Sequence, residues 1–526
     1  MRRPSSRPTP PFVIVSAACV GIAVGGCADR ALTAAGGTDS GSTSGAESGG
    51  LGPVTREVYE EPGADILFVV DNSGAMGQEQ GKLAAGIGAM LEVFERPEVN
   101  LDVRIGVTTT DNGHPQCEGT TPEGGKLQAV SCRARESDFV LMTTGWNDSF
   151  FQEACADWCP ETLADLSTIP TTTHEDDEAV PRAWVERIDG VTNLPEGVSV
   201  EDALRCFLPQ GINGCGFEAP LESMWKALQL GEMIPSSPNF GFRRPGAILA
   251  VVFVTDEADC SLNPDASSIF DPEGDRVFWS DPTANFPTSA VCWNAGVSCT
   301  GGPGTYTSCD PANKDVFGNE GVSEDEAALL PVSRYVQLLR YIQSGQWSPV
   351  PWSGVVVAGL VGVPLDYAQT GEIVYQDGDD PAFLDAFGIG PGCSSASETA
   401  VPPVRMRDLA AQFGVPDGPL LRSICADDFA PALRAIGEAI AARKRGGCVT
   451  WCVEDEDRGT FGYTEASCVV TETYATSSGT ERREVPPCTL TCGGAPCEAS
   501  DGPDGWAVPQ GAEVCYRMLV DRVGRT

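Results

Sequence analysis

The sequence predicts an α/β fold in which a doubly wound, mostly parallel sheet forms the centre of the main domain. Three uncharged apolar runs support this fold class, at residues 66–70, Ile248–Val254 and Val355–Val361. Runs of this length, bounded by turn residues, are typical of strands that are buried on both faces. Segments with helical periodicity lie between them, and such alternation of strand and helix is the pattern of a parallel sheet.

The elements follow one another between residues 61 and 446, and short apolar spacings identify each helix. A further strand is predicted at 103–107. The expected helical faces are Leu83, Ile87, Met90, Leu91 and Phe94 within 78–95; Leu221, Met224, Trp225 and Leu228; Tyr335, Val336, Leu339 and Ile342; Leu409 and Phe413; and Phe429, Leu433, Ile436 and Ile440. Pro331 is expected to open its helix, Gly414 to end one, and Asp427 or Asp428 to cap the last.

The first 26 residues have the pattern of an export signal. Arg2, Arg3 and Arg7 form a positively charged segment, and an apolar stretch follows at 12–24. This stretch is too short to span a bilayer as a helix, which favours a cleaved leader over a membrane anchor. We therefore expect residues 1–26 to be removed from an exported protein.

Residues 24–27 read VGGC, which resembles the lipobox of bacterial lipoproteins. The resemblance implies lipidation of Cys27 and a mature protein that begins there, and Ala28 in place of aspartate implies sorting to the outer membrane. Two or more acyl chains are enough for stable attachment to a membrane. An ordinary secretory leader cut nearby is the alternative. Residues 27–60 are rich in glycine and serine, as expected of a flexible tether between the anchor and the folded part.

The chain has 21 cysteines, and an exported chain of this composition is expected to be disulfide-bonded. Removing Cys19 of the leader and Cys27 leaves an odd number. Two long insertions interrupt the strand–helix pattern near 111–210 and 258–325. The disulfides expected in the first are Cys117–Cys132, Cys155–Cys159 and Cys206–Cys215. Residues 447–526 form a predicted small, β-rich module with seven cysteines: Cys448, Cys452, Cys468, Cys488, Cys492, Cys497 and Cys515.

Charge and histidine content exclude several function classes. The formal net charge is −40, so the surface repels nucleic acid and favours cations and basic partners. His114 and His174 are the only histidines and both lie in insertions, which makes a histidine base or zinc site unexpected. No G-x-S-x-G elbow with plausible partners and no phosphate-binding G-x-x-x-x-G-K-[ST] loop occurs. We expect a protein that is not an enzyme.

Oxygen ligands follow two of the predicted strands and precede one helix. Asp71 and Ser73 follow the strand at 66–70, Asp256 follows Ile248–Val254, and Glu218 precedes the helix that carries Leu221. In a doubly wound sheet these loop ends converge at the carboxyl edge of the strands. Carboxylate and hydroxyl oxygens are the ligands that Mg²⁺ and Ca²⁺ prefer. The sequence therefore predicts a divalent-cation site at this edge.

The same residues resemble the von Willebrand factor type A (vWA) domain, whose metal-ion-dependent adhesion site uses a DxSxS motif, a threonine on a second loop and an aspartate after a later strand. Asp71, Ser73 and Asp256 match that pattern, which implies a vWA/Rossmann-like fold. Ala75 replaces the second serine, and Glu218 stands where the threonine is expected. Residues 109–111 (Thr-Thr-Asp) are alternative contributors.

The resemblance implies binding to another protein or a surface polymer, with an acidic group of the partner completing the shell of Mg²⁺ or Ca²⁺. The expected protein is thus an outer-membrane lipoprotein of the cell envelope that works in adhesion. A site broken by Ala75 would leave the alternative of a metal-free structural scaffold within an envelope complex. An enzyme whose residues lie in the insertions is the remaining class.

Overall fold

The computed structural model describes residues 63–97, 99–143, 146–344, 354–396, 398–414 and 418–444. It also describes seven strands outside these ranges, at Ile14–Cys19, Val54–Tyr59, Cys468–Thr476, Gly479–Val485, Thr489–Cys492, Ala495–Pro496 and Gly505–Ala507. The chain divides into two compact units: Glu61–Lys444 is one, and the segments before and after it form the other.

A seven-stranded sheet forms the centre of the Glu61–Lys444 unit. Its strands are β1 (Ala64–Val70), β2 (Val103–Thr109), β3 (Trp184–Ile188), β4 (Val191–Thr192), β5 (Ile248–Val254), β6 (Val355–Val361) and β7 (Leu420–Ser423). The order across the sheet is β7-β6-β5-β1-β2-β3-β4. The strands from β7 to β2 pair in parallel, whereas β3 and β4 are antiparallel. The prediction of a mixed α/β fold around a mostly parallel sheet is confirmed.

Helices cover both faces of the sheet because successive side chains of each strand point to opposite faces. The helices are α1 (Gly77–Gly86), α2 (Gly88–Phe94), α3 (Val200–Phe207), α4 (Pro220–Met233), α5 (Ala290–Gly296), α6 (Val332–Gln343), α7 (Val404–Gln412) and α8 (Ala430–Ala441). Phe68 of β1 belongs to the core that contains the apolar sides of α1, α2, α3 and α8, and Leu67 to the core formed with α4, α6 and α7.

Shorter elements lie in the connections. They are the helical turns Cys132–Phe139, Gln152–Ala156, Glu161–Leu163, Pro264–Phe270, Tyr367–Thr370 and Pro381–Phe387. Four two-stranded pairs join Val140–Thr143 with Trp146–Ser149, Val297–Thr300 with Ser308–Pro311, Thr305–Tyr306 with Tyr375–Gln376, and Cys393–Ser394 with Thr399–Ala400.

The helix predicted at 78–95 consists of two helices that meet at Ile87. Gly86 lies where α8 begins, and a Cβ on Gly86 would come within 2.9 Å of Ala430 N. Glycine therefore permits this close approach between the end of α1 and the start of α8. The expectation that Asp427 or Asp428 caps α8 is wrong, because Phe429 occupies the N-cap position. The Asp428 carboxylate instead accepts a hydrogen bond from Ala430 N at 2.8 Å, from one residue before the cap.

The segment at 111–210 was predicted to interrupt the strand–helix pattern, and this prediction is wrong for its later part, which belongs to the sheet. Its later part supplies β3, β4 and α3. The sequence pattern missed β3 because two of its five residues, Glu186 and Arg187, are charged. The structure accommodates Glu186 in the sheet through an ion pair with Arg104 of β2, at 2.9 Å.

All three disulfides expected in this insertion are wrong. The structure pairs Cys117 with Cys215, Cys132 with Cys155, and Cys159 with Cys206. The expectation assumed that cysteines close in sequence pair with each other, whereas the fold nests two bridges inside the long Cys117–Cys215 loop. Further bridges join Cys260 to Cys292, Cys299 to Cys309 and Cys393 to Cys425.

The second insertion, 258–325, is an ordered excursion with a small core of its own. Phe270, Phe278, Trp279 and Val291 are buried together there, and Phe217 packs against them from the loop before α4. The Cys260–Cys292 bridge ties α5 to the segment that follows β5. This insertion is therefore anchored beside the carboxyl edge of the sheet.

The other unit contains two antiparallel sheets. One has the order Gly479–Val485, Cys468–Thr476, Ile14–Cys19, Val54–Tyr59, so that it includes residues of the predicted leader and tether. The other joins Thr489–Cys492 to Ala495–Pro496 and Gly505–Ala507. Cys27 lies outside the described residues. No helix among the described residues combines the length and apolarity that a membrane crossing requires.

Candidate metal site

The ends of β1 and β5 lie side by side at the carboxyl edge of the sheet. Asp71 N donates a hydrogen bond to Val254 O at 2.9 Å, which joins the residue after β1 to the last residue of β5. β2 follows β1 on one side of it and β5 lies on the other side. This is the switch point of the strand order, where open α/β sheets place their ligands.

Asp71 is fully buried and held in one orientation. One carboxylate oxygen accepts a hydrogen bond from Ser73 N at 2.8 Å, and the other accepts one from the Thr255 hydroxyl at 2.6 Å. Burial raises the pKa of Asp71, and the hydrogen bonds from Thr255 and Ser73 oppose that increase. The predicted ligands Asp71 and Ser73 are therefore fixed together on one loop.

Glu218 approaches from the loop before α4 and is 1% exposed. One of its carboxylate oxygens accepts a hydrogen bond from the Thr110 hydroxyl, so a residue that the sequence offered as an alternative contributor acts through Glu218. Burial, followed by the negative charges of Asp71 and Glu257, raises the pKa of Glu218 well above its usual value. The structure thus brings Glu218 into the electrostatic environment of Asp71.

Asp256 and Glu257, which are half-buried rather than fully buried, complete the group from the loop after β5. The pKa of Asp256 is raised by burial and then by Asp71, and the pKa of Glu257 is raised by burial, then by Asp256 and Asp71. Sequence reasoning selected Asp256 and missed Glu257, although the two are adjacent. The motif match selected Asp256 alone. The run Thr255-Asp256-Glu257, with three consecutive polar residues directly after a strand, could have identified Glu257 as well.

We call Asp71, Glu218, Asp256 and Glu257 the carboxylate cluster. Within the described residues, none of its four members forms an ion pair with a basic side chain. Glu218 Oε1, Asp256 Oδ1 and the Ser73 hydroxyl are buried without a hydrogen-bond partner. Buried charges without counter-charges are strongly destabilising. Unpartnered oxygens around a surplus of negative charge are the donor set that a hard divalent cation fits.

The spacing of the cluster limits how it could hold an ion. Two ligands of one Ca²⁺ ion lie at most about 5 Å apart, given metal–oxygen distances near 2.4 Å. In the described part of the chain, groups of three acidic, histidine or cysteine ligand atoms within 4.8 Å of one another occur only at His114, Cys117 and Cys215 and at Cys132, Cys155 and Cys159. These cysteines are all in disulfides. An ion at Asp71 would therefore contact two carboxylates directly at most, with the Ser73 hydroxyl and water as further ligands.

The other residues expected to contribute to the site have no side-chain oxygen or use it in other hydrogen bonds. Ala75 is exposed and offers no side-chain oxygen, so the second serine position of the DxSxS pattern adds no ligand. The Thr109 hydroxyl donates a hydrogen bond to the Glu123 carboxylate. Asp111 accepts hydrogen bonds from Gly113 N at 2.9 Å and Cys215 N at 3.3 Å, and so fixes the loop that precedes Glu218.

A second pair of acids lies next to Asp256. Glu79 of α1 is 3% exposed, and burial followed by the charges of Glu398 and Asp256 raises its pKa to about 9. Glu398 forms an ion pair with Lys82, whose ammonium group also donates to Ala426 O at 3.0 Å. Glu79 is therefore protonated at neutral pH, and Glu398 carries the negative charge that faces Lys82.

Replacing Glu79 with glutamine is expected to stabilise the protein above neutral pH. The wild-type folded state binds one more proton than the unfolded state between pH 4.5 and about 9, so its stability falls as pH rises through this window. Glutamine imitates the protonated acid and removes this slope. At pH 9, in chelator, urea unfolding should give the E79Q variant an advantage larger than about 1.4 kcal/mol, the value of one pKa unit. Parallel stability curves for the two proteins from pH 5 to 9 would contradict the prediction.

No family model matches the chain, and no curated protein matches it. Function must therefore be argued from the geometry and chemistry of the site itself.

Proposed function

We propose that this chain is an exported binding protein, anchored at the cell envelope through Cys27, that uses a divalent cation to bind another protein or a surface polymer. The observation that carries the proposal is the carboxylate cluster: four acids from three loops lie near one another at the switch point, and the described part of the chain gives none of them an ion pair with a basic side chain. Asp71, Ser73 and Asp256, which carry the resemblance to the vWA domain, follow neighbouring parallel strands of a sheet that has helices on both faces.

Each residue has a definite part in this proposal. Asp71 and Ser73 on the β1 loop would contact Mg²⁺ or Ca²⁺ directly, and Asp256 on the β5 loop would hold the ion through water. Glu218 would add negative charge and raise affinity for the cation, in place of a neutral threonine. Mg²⁺ retains several waters in proteins, so an acidic group of a partner can replace one of them and bridge the two molecules.

A metal-free structural scaffold is the second candidate, and burial of the site favours it. Asp71 is 0% and Ser73 3% exposed, so no partner reaches them in the conformation described here. In such a scaffold, protons in place of a cation would neutralise the cluster, since Glu218, Asp256 and Glu257 all have pKa values well above the usual range. Cation binding measured in solution separates the two candidates.

Titration calorimetry of the chelator-stripped, full-length protein with Mg²⁺ and with Ca²⁺ tests the proposal. We expect saturable one-site binding in the wild type and a loss of at least about 100-fold in affinity in D71N, because the variant removes a ligand charge. S73A should weaken binding less. Glu95, an exposed acid at the end of α2, provides the matched control, since E95Q should bind as the wild type does. Equal heats in wild type and D71N, with both folded by circular dichroism, would refute a cation at this site.

A further inference from the structure

We propose that Glu257 is an internal ligand of the candidate metal site and occupies the coordination position that a partner's acid would need. Ser289 holds Glu257 in this place, so the site is closed until the insertion at 258–325 moves. This inference rests on the proposed function, and it names how that function is regulated.

The position of Glu257 follows from the chain around Thr255. The Thr255 hydroxyl donates to Asp71 and accepts a hydrogen bond from Glu257 N at 3.1 Å. One hydroxyl group therefore links the backbone of Glu257 to the carboxylate of Asp71. The negative charges of Asp256 and Asp71 both act on the Glu257 side chain. Its Oε2 lies 2.9 Å from Ser289 Oγ, which is 3.0 Å from Gly216 O, so the carboxylate lies between the β5 loop and the loop that precedes Glu218.

Ser289 connects Glu257 to the loop that precedes Glu218. Its hydroxyl lies 2.9 Å from Glu257 Oε2 and 3.0 Å from Gly216 O, as donor to both acceptors. Ser289 immediately precedes α5, and the Cys260–Cys292 bridge fixes α5 to the segment after β5. The insertion thus positions Glu257 through Ser289. Because the Ser289 hydroxyl has one proton to share between two acceptors, each hydrogen bond is weak and can break.

The loop before Glu218 closes the site from the other side. Gly214 N donates to Asn72 O at 2.8 Å, and a Cβ at Gly214 would come within 2.3 Å of the Asn72 side chain. The Cys117–Cys215 bridge ties this loop to the segment after β2. An incoming carboxylate meets these covering segments before it reaches Asp71.

The arrangement makes binding of a partner conditional. A carboxylate of the same chain is present at high local concentration, so it competes with any external acid for the ion. A partner binds only when Glu257 leaves the ion, and breaking the Ser289 contacts is the first step of that release. The cluster is then a cation site with a built-in competitor rather than an open adhesion site.

Terbium luminescence tests this inference directly on the metal-stripped, full-length protein, because water bound to Tb³⁺ shortens its lifetime in H₂O but not in D₂O. We expect E257Q to gain about one bound water and to lose at least about tenfold in Tb³⁺ affinity, since one charged ligand is removed. Added acetate should then displace that extra water in E257Q and leave the wild type unchanged. S289A should retain its affinity but respond to acetate.

The matched control is E273Q, which removes an exposed acid of the same insertion and should behave as the wild type does. An E257Q variant with the water count and the acetate response of the wild type would overturn the role of Glu257, while the proposed function would stand. Failure of the wild type to bind Tb³⁺, Mg²⁺ or Ca²⁺ in a manner sensitive to D71N would instead remove the proposed function and this inference together.

Discussion

Replacing Asp65 with alanine is expected to lower the free energy of unfolding by about 3–5 kcal/mol, because it breaks a buried ion pair by removing one of its two partners. Asp65 lies in β1 and is 0% exposed. Its carboxylate accepts hydrogen bonds from Arg244 Nε at 2.7 Å and from the Arg244 backbone amide. Arg244 also donates to Ala64 O at 2.9 Å. The pair therefore joins the segment before β5 to the central strand, and urea unfolding measures the loss.

A double variant distinguishes the pair's own contribution from the penalty of breaking it. D65L combined with R244M removes both charges and fills the space with apolar atoms, and such replacements of buried pairs are often neutral or stabilising. We expect the double variant to be at least about 2 kcal/mol more stable than D65A. A D65A variant within about 0.5 kcal/mol of the wild type would contradict the assignment of this ion pair as buried.

Loss of the Cys159–Cys206 bridge has the second large expected effect on stability. The bridge joins α3 to the segment that follows the helical turn Gln152–Ala156, across a sequence separation of 47 residues, and both cysteines are fully buried. A loop of this size gives about 4 kcal/mol in the chain-entropy account of disulfide stabilisation. The variant C159A/C206A should therefore unfold at clearly lower urea concentration. Alanine is chosen because serine would add a buried hydroxyl.

Thiol labelling of denatured protein provides the control for this pairing. Under the bridges described here, C159A/C206A leaves the number of free thiols unchanged from the wild type. The variant C206A/C215A removes one partner from each of two bridges and adds two free thiols, from Cys159 and Cys117. If Cys206 and Cys215 were bonded to each other, C206A/C215A would add none, and the stability of C159A/C206A would need another explanation.

The central strands could be predicted from the sequence because a strand that is buried on both faces requires an uninterrupted apolar run. Ile248–Val254 and Val355–Val361 are uncharged over their whole length, so burial on both faces was the consistent interpretation, and their bounds match the structure. β3 carries Glu186 and lies at the antiparallel side of the sheet, where its strand character depends on Arg104 from another segment. Local sequence does not contain that information, because the partner is 82 residues away.

The candidate site likewise contains residues that could be predicted from the sequence and residues that could not. Asp71 and Ser73 could be placed at the sheet edge because a strand end determines where the next residues lie, and Asp256 follows the same logic. Glu257 depends on a contact with Ser289, and Ser289 is brought there by a bridge between Cys260 and Cys292. Disulfide pairing cannot be deduced from cysteine spacing, so residues that covalent loops bring to the site remain hidden in the sequence.

The sheet order has a consequence for the path by which this chain matures. β1 pairs with β2 on one side, but its other partner is β5, with Ala64 opposite Ile248. Long-range pairing of this kind gives a high contact order and slow folding. Apolar β1 therefore waits, unpaired along one edge, while nearly 200 residues are synthesised, and exposed strand edges of this type promote aggregation. We therefore expect the nascent chain to be most prone to aggregation until residue 254 has emerged and β5 can pair with β1.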